Sequence, residues 1–139
     1  MANDVLWALQ VPVFDLLDGD GTLTTLAPGG VHDEPPHNLT TDYVLIGDFT
    51  EIPDDDHSAS GREVTMTLHI YSFALGNQNT FAIKRRIEEL LHRQPPASTD
   101  WRISDIALDF AETIRERDTT DGTRIRHTPV RYRVKLREV

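Results

Sequence analysis

The chain has 139 residues, of which 38% are hydrophobic and 27% charged, with a net charge of −9 and no cysteine. That length suits one compact domain with a core of its own, spanning residues 1–139. The absent thiols exclude a disulfide framework, a cysteine-ligated zinc and a thiol nucleophile, and the acidic balance argues against free DNA or RNA as a tight ligand. Neither a basic leader nor an apolar run long enough for a signal peptide or a membrane span is present, so the protein is expected to be made and used in the cytoplasm.

Asn3 or Asp4 can cap a first helix, on which Leu6, Leu9, Val13, Leu16 and Leu17 follow at helical spacing. Pro12 falls inside that pattern and is expected to kink the helix or confine it to the segment after Val11. Asp18-Gly19-Asp20-Gly21 ends the element, and Thr22 to Ala27 reads as a short second helical turn. Val31-His32-Asp33 reads as the start of an edge strand, and the prolines of Glu34-Pro35-Pro36-His37 hold the next segment extended.

Tyr43-Val44-Leu45-Ile46-Gly47 has strand composition. Ile52 to Gly61 is expected to be a polar loop. Val64, Met66, Leu68 and Ile70 then alternate with Thr65, Thr67, His69 and Tyr71, the clearest strand in the chain. Asn77 or Asn79 can cap a second long helix with Phe81, Ile83, Ile87, Leu90 and Leu91 as its buried stripe, stopped by Gln94-Pro95-Pro96. A strand from Trp101 to about Glu112 follows, with Ile106, Leu108 and Phe110 on one face and a slip between Ile103 and Ile106 that predicts a bulge. Asp121-Gly122 signals a turn. The last strand runs from about Arg124 to Arg137, with Tyr132, Val134 and Leu136 inside, and Pro129 is expected at a bulge or on an edge. The fold class is α+β: a mainly antiparallel sheet of four or more strands with two helices packed on one face.

No motif specifies an enzyme. A phosphate loop with its lysine, Gly-x-Ser-x-Gly and His-Glu-x-x-His are all missing. Asp18-Gly19-Asp20-Gly21 lacks the acidic ladder and terminal glutamate of a calcium loop and reads as a turn. His32 and His37, with Asp33 and Glu34 between them, have the donor types for a transition metal, but the neighbouring prolines make a solvated loop the expected reading. His69 is placed on the outward face of a strand and His92 near a helix C-terminus. No catalytic residue, metal or cofactor is therefore expected.

Two charge clusters carry more information. Asp54, Asp55 and Asp56 repel one another, which predicts an extended, solvated loop, either solubilising or at the rim or channel of an assembly. Arg131, Arg133, Lys135 and Arg137 line one strand face in an otherwise acidic chain. Three readings stay open for that stripe: nucleic-acid contact without an aromatic platform, pairing with a neighbouring subunit, and cross-strand pairing with Asp105, Asp109 or Glu112.

The ordered segments together resemble the tail completion or tail terminator proteins of long non-contractile-tailed phages, similar to the lambda tail terminator. The likeness rests on Phe14-Asp15-Leu16-Leu17-Asp18-Gly19-Asp20, on Pro28 to Pro36, on Tyr43 to Asp48, on Val64 to Ser72 and on the helix from Asn77 to His92 with its closing strands. It spans nearly the whole chain, although Pro12 and the acidic loop are not family features. The resemblance implies a non-enzymatic virion protein assembled in the host cytoplasm. It implies a homohexameric ring on the tail tube that stops tube growth and meets the head connector, while DNA passes through its centre without tight binding. Asp54, Asp55 and Asp56 are then expected at the lumen or a ring face, and Arg131, Arg133 and Lys135 at an intersubunit contact. The competing expectations are another neck protein, such as a head-closure or connector subunit, and a small nucleic-acid-binding module.

Overall fold

Asp4 opens the first helix, its carboxylate accepting the Leu6 N–H at 2.9 Å, and α1 runs Val5–Asp18. In this computed structural model residues 3–38, 40–74, 76–117 and 124–139 are described. Pro12 lies inside α1, so the helix is not confined to the segment after Val11. Proline has no N–H for the Ala8 carbonyl. The Ser98 hydroxyl donates to that carbonyl instead, at 2.5 Å, so no acceptor is orphaned and the helix keeps its length. Val5, Ala8, Leu9, Val13 and Leu17 form its buried stripe.

Asp20 caps α2 (Gly21–Leu26) by accepting the Leu23 N–H at 2.8 Å. The two-residue β1 (Val31–His32) pairs in parallel with β2 (Tyr43–Pro53). β2 continues well past Gly47, because Asp48 adopts a left-handed φ of 57° at an irregularity between Ile46 and Phe49 and pairing resumes beyond it. β2 and β3 (Gly61–Ser72) form an antiparallel hairpin. Val64, Met66, Leu68 and Ile70 are fully buried along β3, as their alternation predicts.

Asn77 precedes α3 (Gln78–Leu91) without a side-chain cap; its amide oxygen accepts from Arg126 at 2.9 Å. The buried stripe is Thr80, Ile83, Ile87 and Leu91. Phe81, expected inside, is half exposed, since one residue turns the helix by about 100° away from that stripe. The chain then forms β4 (Trp101–Ala111), β5 (Ile114–Arg117) and β6 (Arg124–Glu138). The predicted slip falls between Ile103 and Asp105, and a second lies between Leu108 and Phe110. That second slip turns Phe110 away from the face that Ile106 and Leu108 share. The expected Asp121-Gly122 turn lies outside the described residues.

The strand order is β1-β2-β3-β6-β4, with β5 also on β6. The last strand is thus central, pairing along its length with β3 on one side and with β4 and β5 in tandem on the other. Pro129 sits where β4 has ended and β5 has not begun, opposite Glu112, whose N–H reaches the Pro129 carbonyl at 3.1 Å. The N and O of one strand residue point to the same side, so its missing donor faces an interruption and costs no ladder bond. All three helices contribute to one core with the inward face of the sheet, where Leu9, Leu17, Ile83, Ile87, Met66, Leu68 and Tyr132 are fully buried. Truncating a side chain such as Ile87 to alanine should cost about 2–5 kcal/mol. The opposite face of the sheet is covered by no described element.

Candidate interaction surface

The uncovered face is made by alternate residues of β3 and β6, so period-two geometry puts Gly61, Glu63, Thr65, Thr67, His69 and Tyr71 beside Arg137, Lys135, Arg133, Arg131, Pro129 and His127 in turn. Arg131 and Arg133 point to this face and are about half exposed. Asp109 receives both: Arg131 Nε at 2.8 Å and Arg133 Nη2 at 3.0 Å. Arg133 also reaches Glu63 at 3.3 Å. Cross-strand pairing with Asp109, one of the three sequence readings, is therefore present. Lys135 is exposed and forms no ion pair among the described residues.

The acidic segment is not the extended loop that charge repulsion predicts. It folds back on itself, with the Asp54 N–H on the Gly61 carbonyl at 2.9 Å and the Asp56 N–H on the Ala59 carbonyl at 3.1 Å. Asp55 accepts from the Gly61 N–H at 2.8 Å and from Arg62 at 3.2 Å. Asp56 accepts from the Ser58 N–H at 2.8 Å, the Ser58 hydroxyl at 2.9 Å and the Ala59 N–H at 3.0 Å, and it pairs with Arg137. Those Ser58 donors, with Arg137 as a smaller contributor, hold its carboxyl down at about 2. Local donors thus outweigh carboxylate repulsion. Position 61 must be glycine, since a Cβ there would stand 2.2 Å from the Asp54 carbonyl oxygen. Of the basic stripe, Arg137 belongs to this turn.

Sequence reasoning missed a row of rings on the same face. Tyr43 on β2 stacks on Tyr71 of β3, with centroids 5.0 Å apart, and Tyr71 stacks on His127 of β6 at 4.6 Å. His69 continues the row. Its Nδ1 lies 2.6 Å from His127 Nε2, and its Nε2 lies 3.0 Å from the Asp48 carboxylate. A neutral His69 that donates to Asp48 must accept from His127, which fixes both tautomers. The rings turn their faces to one another, so the row is a cross-strand ladder and not a platform for stacking bases. Outward alternation singled out His69 and Tyr71, but only the register brings in Tyr43 and His127.

Of the four remaining histidines, His37 and His57 are exposed and His32 and His92 have structural places. His32 Nε2 sits 2.7 Å from the Gly29 carbonyl, and His92 Nδ1 accepts the Leu108 N–H at 3.0 Å beside the second bulge. No group of three or more metal-ligating side chains converges among the described residues. No helix there is long and apolar enough to cross a membrane.

Residues 11–137 match the family described as tail completion protein gp17. A solved structure described as "Virion of native gene transfer agent (GTA) particle" contains a chain of the same fold, with a TM-score of 0.83 at 20% identity, covering 98% of this chain and 99% of that one. No curated protein gives a match. The three-helix, mainly antiparallel architecture and a match over most of the sequence agree: this chain belongs to the tail completion protein gp17 family, structural proteins of the virion tail.

Proposed function

We propose that the protein forms a homohexameric ring at the head-proximal end of the tail tube, ends tube polymerisation, and joins the tail to the head connector. DNA then passes through the centre without tight binding. Family membership over residues 11–137 carries this reading. The sheet supports it: one face is covered by helices, and the other is an open surface of charged and aromatic side chains available to a sister copy.

In this reading Arg131, Arg133 and Lys135 border the intersubunit contact. Arg131 and Arg133 are held in place by Asp109, and Lys135 supplies the charge that has no partner within the described chain. Asp54, Asp55 and Asp56 form a folded acidic turn at the lumen or a ring face. An acidic lumen suits passing DNA, because many phosphate contacts would release counterions and hold it.

Native mass spectrometry and electron microscopy of the protein with its tail-tube partner test the proposal. Rings of six are expected on tube ends, and Lys135→Glu together with Arg133→Glu should reduce them at least tenfold. Tubes that stop at normal length without the protein would overturn the capping role. Tight, salt-sensitive DNA binding by the isolated protein would favour a nucleic-acid module instead.

A further inference from the structure

Two pairs of large apolar side chains remain exposed, and they lie near opposite ends of β4. On α1, Trp7 and Val11 stand one turn apart, 54% and 39% exposed. With Pro12, Ala97 and Ser98 they line a groove of about 240 Å³. Asp15, a further turn along, also lines it, is exposed, and forms no ion pair among the described residues.

The second pair is Phe110 and Ile114, 46% and 36% exposed. They stand opposite Arg131 and His127, hence on the open sheet face, with Pro129 between those two partners. The Arg131 guanidinium lies 5.3 Å from the Phe110 ring centroid. Isolated exposed residues such as Ile52 and Phe81 need no explanation, but paired ones bordered by charge do. Here Asp15 borders the groove, and Arg131, which Asp109 holds in place, borders the edge with its guanidinium on Phe110.

The placement fits a head-to-tail contact. The groove adjoins residues 97–99, just before Trp101, and Phe110 lies near the other end of the strand, about 30 Å away at about 3.3 Å per residue. One copy can therefore use both patches at once, as a heterologous ring contact requires. We infer that the α1 groove of one copy receives the Phe110–Ile114 edge of the next, with Arg131 on the side of Asp15. This inference rests on the ring reading above and names the two surfaces that meet.

Crosslinking tests it directly, because the chain has no cysteine of its own. Val11→Cys and Ile114→Cys in one chain should give, on oxidation of assembled rings, a ladder of covalent multimers up to ring size. Either substitution alone should give none beyond dimers. Trp7→Ala or Phe110→Ala should lower the ring fraction at least tenfold with unchanged circular dichroism, and Asp15→Arg with Arg131→Asp should restore part of what Asp15→Arg loses. Rings that form normally while the double-cysteine chain yields no ladder, or while Trp7→Ala assembles fully, would overturn this placement and leave the ring standing. A chain that never oligomerises, even with tail tubes present, overturns both.

Discussion

Ser98 gives its hydroxyl proton to the Ala8 carbonyl, 2.5 Å away, the acceptor that Pro12 leaves without a helical donor. A segment ninety positions further along the chain thus completes the backbone hydrogen bonding of α1. In a Pro12→Ala chain the residue-12 N–H can take over the Ala8 carbonyl. Ser98→Ala should therefore cost about 1–2 kcal/mol in the natural chain and less than half of that in the Pro12→Ala background. Denaturant titration of the four chains measures the difference; equal costs in both backgrounds would refute the compensation.

Asp20 caps α2 and also receives Arg86 of α3 through two hydrogen bonds, 2.9 Å from Nε and 2.7 Å from Nη2. The Arg86 hydrogen bonds hold its carboxyl below the ordinary 3.8. Its stabilising contribution is therefore complete above the ordinary value and is lost as pH falls through the lower folded one. Asp20→Asn keeps the cap acceptor and should cost about 1 kcal/mol near neutral pH, while Asp20→Ala, which loses cap and pair, should cost about 2 kcal/mol. Stability measured from pH 7 down to 2 should fall less steeply in Asp20→Asn than in the natural chain.

Tyr132 is fully buried in the core, and its hydroxyl finds no hydrogen-bond partner among the described residues. Burial pushes its phenol far above the ordinary 10.0. A buried hydroxyl without a partner costs about 1–3 kcal/mol, so Tyr132→Phe should stabilise the fold by about 1 kcal/mol. A raised folded value means stability is full below pH 10 and declines as the unfolded phenol ionises above it. Tyr132→Phe should remove part of that alkaline decline in thermal melts. A destabilised Tyr132→Phe chain would show that the hydroxyl is satisfied.

The Asp56 carboxyl, held at about 2 chiefly by Ser58, keeps the 54–60 turn closed while it is ionised. Carboxyl-detected NMR should place its titration near that value, and the turn should loosen only as pH falls from the ordinary 3.8 toward about 2. Asp56→Ala should speed amide exchange at Ser58 and Ala59 at neutral pH without changing protection in β3. Unchanged exchange at those two amides would refute the capping role.

The elements themselves were legible locally. Strict alternation in Val64–Ile70 and on the last strand, the spacing of Ile83, Ile87 and Leu91, and the cap at Asp4 depend on neighbours within a turn or a pleat, and the chain follows them. Phe110 and Phe81 were misplaced for equally local reasons. A bulge reverses the alternation after Leu108, and one helical step separates Phe81 from its stripe.

The sequence by itself determined the fold class, the family likeness and the outward cationic stripe, because each is written in periodicity and order along the chain. Only the tertiary structure decided what those groups touch. It placed β6 in the middle of the sheet, so that Asp109 could reach Arg131 and Arg133. It aligned Tyr43, Tyr71, His127 and His69 across three strands, and it brought Ser98 to the carbonyl beneath Pro12. Such contacts depend on strand order and register over long sequence separations, which single-chain patterning does not encode.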